Sequence, residues 1–358
     1  MRSARNETLP STDPGSRRAG VPRLRALPFL ALVAGLIPAV AWASPAGQET
    51  AFPVQRSVVH YGPIVLPPAV AGQPSTFAAF VPYVPFMPCS NCYMTGAGID
   101  LVYEDGTTAN LDTGAMLHHI VMFNGSRPDA TCSPETPMGG LGQRFFAAGN
   151  ERTGSDLPAG FGYHLGKEPV QSAIEIMNHA AEQKTVYLKA DIRWVPDSTA
   201  GMKAVTPVWL DQNNCNTSQY AVPAGPSNRV WRWTSNLTGR VLFTGGHVHD
   251  GGIKIDISNE TAGQHLCTSY AGYGNNPAYM GSVESMTTCN WDRLGTVRRG
   301  ETIAIDTFYD SPTAQSDVMG IVLAFVYETE DLAGGTPPPP EPAPPTGRPP
   351  AMGGGHHH

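Results

Sequence analysis

Arg240-Val241-Leu242-Phe243 is followed, after Thr244, by Gly245-Gly246-His247-Val248-His249-Asp250-Gly251-Gly252. The first four residues have the β-branched and aromatic content of a strand, and the glycines that follow mark a close approach of backbone or ligand. Successive side chains of a strand point to opposite faces, so His247 and His249 share one face and can chelate one ion. The flanking glycines leave room for it. A structural pair of exposed histidines is the alternative reading of the same spacing.

Working outward, the pattern repeats. Ile99-Asp100-Leu101-Val102-Tyr103, Thr185-Val186-Tyr187-Leu188 and Ile321-Val322-Leu323-Ala324-Phe325-Val326-Tyr327 are short strand-like runs separated by Gly, Pro, Asn and Asp clusters, with few segments of helical period. This spacing predicts an all-β chain of antiparallel sandwiches. Trp194 to Met202 interrupts the strand pattern near the middle, and a cut near 200 divides the chain into domains 44–198 and 199–332, two tandem β-sandwiches of jelly-roll type. Beyond Leu332 come Gly334, Gly335 and the run Pro337 to Pro340, a composition that favours solvated polyproline and cannot build a core, so 333–358 reads as a tail or spacer. The terminal His356-His357-His358 is assigned no role.

At the other end, arginines precede the apolar run Ala26 to Val40, which closes on Ala41-Trp42-Ala43. Residues 1–43 therefore read as a cleaved export signal, and the mature chain as secreted or periplasmic. The run is broken by Pro28, Gly35 and Pro38 and is too short for a membrane span. The formal net charge is −7, and the cleaved segment is basic, so the mature chain is more acidic still. That argues against nucleic acid or an anionic membrane surface as a partner. Six cysteines suit an oxidising compartment. Cys267 with Cys289 is the expected pair, because the Gly- and Tyr-rich loop between them needs a staple. Cys89 and Cys92 form a CxxC with no second CxxC near it, which disfavours a four-cysteine zinc site.

A second histidine signal is Met116-Leu117-His118-His119-Ile120-Val121. Neighbouring strand residues face opposite sides, so both imidazoles reach one metal only if the backbone bulges there. Otherwise one is buried and one exposed. His179, in Ile174-Glu175-Ile176-Met177-Asn178-His179, is a third candidate, and Met319 opens the last apolar strand. Imidazole together with thioether suits copper better than zinc, calcium or magnesium. No nucleophile elbow, phosphate-cradling loop, HExxH helix or EF-hand pattern occurs, and the carboxylates are scattered, which leaves glycoside hydrolysis unsupported. His60, His164 and His265 have no comparable partners and read as structural.

The order of these motifs resembles that of the copper type II, ascorbate-dependent monooxygenases, the family of peptidylglycine hydroxylating and dopamine β-monooxygenases. His118-His119 comes first, then Leu157 to Gly166, the crossing near Val195 to Met202, His247-Val248-His249, and Met319 before the terminal strand. A closer resemblance is to the stress-up-regulated nodulin-type proteins, through Leu117-His118-His119, Gln143-Arg144-Phe145-Phe146, Gly246 to Gly252, the Cys267 to Cys289 loop and Val318-Met319-Gly320. The resemblance implies two coppers. His118, His119 and a third histidine would hold an electron-transfer copper, and His247, His249 and Met319 the copper that activates dioxygen. Ascorbate or a similar one-electron donor would be co-substrate, and a C–H bond of a small molecule would be hydroxylated.

Two positions depart from that pattern. The third histidine falls by context nearest Met177, whereas the histidine is His179. The peptide-hydroxylating members anchor a substrate carboxylate with an arginine and a tyrosine where this chain has Gly245 and Leu323, so peptidylglycine is not expected as substrate. The competing functions are a non-catalytic copper-sequestering protein and a cell-surface interaction module carried on the proline-rich spacer.

Overall fold

The computed structural model describes residues 52–84, 87–336, 338–341 and 344–345. The export signal expected over 1–43 and the terminal histidines lie outside them. The described chain is all-β, with three short 3-10 turns and no α-helix. No helix among the described residues is long and apolar enough to cross a membrane.

Four sheets carry the architecture. The first runs in the order Gln55–Leu66, Lys184–Pro196, Cys92–Val102, Phe161–Leu165 and Lys203–Ala204, with Ser155–Asp156 added on Cys92–Val102. The second is Ser75–Val81, Val170–Asn178, Ala115–Asn124 and Gln143–Gly149. The third is Thr206–Asp211, Gly320–Glu328, Gly239–Val248 and Thr288–Val297, and the fourth Gly225–Thr234, Thr302–Ser311, Gly252–Asn259, Gln264–Gly272 and Ser285–Met286. Nearly all pairings are antiparallel; Lys203–Ala204 lies parallel to Phe161–Leu165.

The third sheet positions the site, because it is buried on both faces. Along Gly320–Glu328, Ile321, Leu323 and Phe325 enter one apolar cluster with Leu117, Ile120, Phe145 and Phe146 of the second sheet. The alternate residues Val322, Ala324 and Val326 enter another with Ile255, Ile257 and Ile305 of the fourth. This is the physical reason the run 321–327 is continuously apolar rather than alternating: neither face meets water. The neighbouring strand behaves alike, with Trp209 in the first cluster and Val208 and Leu210 in the second. The first cluster therefore draws residues from both sides of position 200.

Three disulfides staple the chain: Cys89–Cys92, Cys132–Cys215 and the expected Cys267–Cys289. Cys132–Cys215 closes a separation of 83 residues and ties the loop before the second sheet's edge to the loop after Thr206–Asp211. The start of the proline-rich segment is held to the fourth sheet, where the Glu341 carboxylate accepts from the Thr268 N–H and meets His265 Nε2 at 2.7 Å.

Candidate metal centre

The double-histidine strand, Ala115–Asn124, pairs with Val170–Asn178, and the register slips by one between Leu117↔Ile176 and His119↔Glu175. The extra residue is His118. Such a bulge re-aims side chains, and here it supplies the condition under which adjacent histidines can serve one site. The two Nδ1 atoms stand 2.9 Å apart, with ring centroids at 4.9 Å. Glu175, across the strand pair, sets its carboxylate oxygens 3.7 Å from His118 Nδ1 and 3.6 Å from His119 Nε2. One ligand atom from each of the three lies within 4.8 Å of the others, a grouping with the spacing of a metal triad.

The second histidine pair ends its strand beside the first. His247 stands opposite Ile321 in the register of the terminal strand. The His247 and His249 rings lie 5.4 Å apart, and His249 meets His118 edge-on at 5.5 Å. Gly149, paired with His119, makes this approach sterically open. A Cβ there would sit 3.0 Å from His247 Cε1, 3.2 Å from the His118 carbonyl oxygen and 2.6 Å from Glu151 Oε2. Four imidazoles from two sheets thus converge on one small region.

Carboxylates and a phenol hold the histidines in place. His247 Nδ1 is 3.0 Å from Glu151 Oε1, the arrangement in which an outer carboxylate fixes a ligating imidazole's orientation. The buried Tyr309 hydroxyl accepts from the His249 N–H at 2.9 Å and donates to the Met319 carbonyl. Asp250, also buried, accepts from Ser282 Oγ and the Val283 N–H, both at 2.8 Å, and so anchors the turn after His249.

Burial, aided by the neighbouring His247 charge and opposed by Glu151, pushes His119 down to about 4, so its ring is neutral and available to a metal well below neutral pH. Burial also opposes charge on His247 and Glu151, but their mutual attraction and hydrogen bond outweigh it. His247 is raised and Glu151 lowered. Burial alone raises Glu175.

His119, His247 and Met319 line a cavity of about 330 Å³, walled by Val121, Phe123, Phe146, Trp209, Phe243 and Leu323 among others. Gly245 stands directly opposite Leu323, and both line it, so the place of the peptide-hydroxylating members' arginine and tyrosine is apolar on both strands. His179 is not brought to this cluster. It lies beyond the strand end, its N–H bonded to the Gly114 carbonyl at 2.7 Å, in a surface pocket with Tyr103, Leu111 and Lys184. Met177 pairs with Met116, and it is Met116 that lines a small pocket with His118, His247 and His249. Glu175 occupies the position beside the double histidine, and sequence reasoning missed it. The available signal was a lone acid between Ile174 and Ile176. His164 and His265 are paired with Asp197 and Glu341, as structural histidines would be.

Residues 196–329 match the family model described as stress up-regulated Nod 19. The chain is 30% identical over 258 residues to a probable copper-dependent oxygenase, M1, of Phoma sp., covering 67% of this chain and 64% of that protein's length. It is 30% identical over 246 residues to a probable copper-dependent oxygenase, clz3, of Cochliobolus lunatus, covering 63% of this chain and 77% of that one. The chain thus spans a little under two thirds of the Phoma relative. Among solved structures, the major capsid protein P2 of bacteriophage PM2 aligns over 79% of this chain and all of its own at 11% identity, with a TM-score of 0.27, too low to bear on the fold. With a bulged double-histidine strand, an HxH pair beside it and these relatives, the chain belongs to the stress up-regulated Nod 19-type, copper-oxygenase-like family.

Proposed function

We propose that this protein is an exported copper-dependent monooxygenase that hydroxylates a C–H bond of an apolar organic molecule, using dioxygen and a one-electron donor such as ascorbate. The observation that carries the reading is the convergence of four imidazoles, two of which, His119 and His247, line a largely apolar cavity. Sequestration alone would need the ligands but not the cavity. The donor set fits copper: neutral imidazoles, a thioether at Met319, and a backbone cleared by Gly149 where a side chain would intrude.

His118 and His119, with Glu175 beside them, would hold one copper, and His247, His249 and Met319 the other. When bound, copper supplies one-electron redox chemistry and the activation of dioxygen. The chain's own part is positional. Glu151 orients His247, Tyr309 ties His249 to the Met319 backbone, and the apolar walls exclude water from the reacting end. With Gly245 and Leu323 at the place of a charged anchor, peptidylglycine is not the substrate. The three disulfides support export to an oxidising compartment, and the paired sheets on either side of position 200 support two tandem sandwich domains, 44–198 and 199–332, meeting at a common wall.

The test is copper counting and Cu(I) X-ray absorption on residues 44–355, followed by ascorbate and ¹⁸O₂ with a panel of apolar substrates. Two coppers, a sulfur scatterer and one labelled oxygen in the product are expected. Full copper loading with no labelled product from any panel member would favour sequestration.

A further inference from the structure

The far end of the cavity holds a buried guanidinium whose bonding is incomplete. Arg144 is 2% exposed and lines the same cavity as His119, His247 and Met319. Its Nε and Nη2 bond to the two carboxylate oxygens of Asp129 at 2.8 and 3.0 Å, and Nη2 also reaches Thr131 Oγ1 at 3.2 Å and Cys132 Sγ at 3.0 Å. The Trp209 ring covers its face, with the guanidinium carbon 5.0 Å from the ring centroid. Nη1 is buried and has no hydrogen-bond partner among the described residues. A charged donor left unsatisfied in a buried setting is costly, and a guest that completes the bonding would account for it.

We propose that Arg144 Nη1 is the polar anchor of the substrate, receiving a carbonyl or carboxylate oxygen of an otherwise apolar molecule whose reacting carbon lies at the histidine end. This rests on the oxygenase reading above and adds the substrate class. Arg144 and Gly149 share one strand, and five residues of strand span about 16 Å. Gly149 marks the histidine end by its register with His119. The oxidised carbon is therefore several bonds removed from the anchored oxygen. Phe146, Phe243 and Leu323 give the same cavity apolar wall, and its acids, Glu151 and Glu175, lie with the histidines. Asp129 already neutralises the guanidinium, so an uncharged carbonyl is accepted as well as a carboxylate.

The experiment is calorimetric titration of the full mature chain, metal-free and copper-loaded, with 6-phenylhexanoate, 6-phenylhexanamide and hexylbenzene. The acid, the amide or both are expected to bind at least tenfold more tightly than hexylbenzene, and the tighter of the two identifies the oxygen donor class. Arg144→Lys keeps a cation for Asp129 but removes the second terminal nitrogen, and should abolish that preference while leaving hexylbenzene unchanged. Leu323→Trp, which fills the cavity without touching the ion pair, should weaken all three. If Arg144→Lys fails to fold, the preference in the wild-type chain still decides. Equal affinity for the three probes, no binding of any of them, or a preference that survives Arg144→Lys, would overturn the proposal. Because the metal-free protein is titrated, probe binding without any labelled product on oxygenation marks failure of the oxygenase reading instead.

Discussion

The Tyr309 hydroxyl donates to the Met319 carbonyl while accepting from the His249 N–H, so one buried phenol fixes the distance between the HxH motif and the methionine that precedes the terminal strand. Burial raises the Tyr309 pKa well above its ordinary value, and the hydroxyl stays protonated in its donating role. Tyr309→Phe leaves a buried N–H and a buried carbonyl unpaired and should cost about 2 kcal/mol in urea unfolding. It should also weaken Cu(I) at this ligand set by about tenfold or more in chelator competition, the usual size of an outer-partner loss. A stability loss with unchanged copper affinity would show that the phenol serves the fold alone.

Glu175, not His179, faces the double histidine across the strand pair. Glu175→Ala should weaken copper at the His118–His119 end by about one to two orders of magnitude, read as sub-stoichiometric loading under chelator competition. His179→Ala should load fully, since its ring lies in a separate pocket. Loss of about one copper in His179→Ala with retention in Glu175→Ala would reverse the assignment.

His119 gives the metal-free protein a defined acid sensitivity. Its folded value of about 4 lies below the unfolded value near 6.5, so the unfolded chain binds the proton first as pH falls. The neutral ring's contribution is intact above about pH 6.5 and is lost between there and about pH 4, a span worth roughly 3 kcal/mol. Urea midpoints measured from pH 7 to 4 should fall more steeply for the wild type than for His119→Gln. Parallel pH profiles would show that burial does not hold the ring neutral. His247, whose pKa is raised, contributes with the opposite sign, and Glu151, whose pKa is lowered, with the same sign; the comparison with His119→Gln separates both from this effect.

Much of the fold follows from period alone. The strand runs at 99, 185, 240 and 321 all lie in strands, and the continuously apolar run at 321–327 is a strand buried on both faces. The double histidine was readable as a conditional statement, since two adjacent imidazoles need a bulge, and the bulge is there. What periodicity cannot carry is register between distant strands. Glu175 meets His119, Glu151 meets His247 and Asp129 meets Arg144 only after pairing is fixed, and each of the three acids is unremarkable in its own segment. His179 is two residues from Met177 and four from Glu175, but the strand ends at Asn178 and leaves it beyond the cluster.

Gly149 is the residue at which this register becomes chemistry. It is paired with His119, and the hydrogen it carries in place of a side chain faces His247 of the adjoining sheet, the His118 carbonyl of its own sheet and Glu151 two residues along. Gly149→Ala would place a Cβ 2.6 Å from Glu151 Oε2 and 3.0 Å from His247 Cε1. The carboxylate is the end of a flexible side chain and can swing away, so the stability cost should stay near 1 kcal/mol, within the range of mild overpacking. The ring of His247 has less freedom, being set by its strand, and displacement of Glu151 removes the bond that orients it. The expected outcome is a folded protein with copper affinity at the HxH set reduced by at least tenfold and an altered Cu(II) electron paramagnetic resonance spectrum. Wild-type affinity and an unchanged spectrum in Gly149→Ala would mean that the close approach of the two histidine pairs is not what the metal uses.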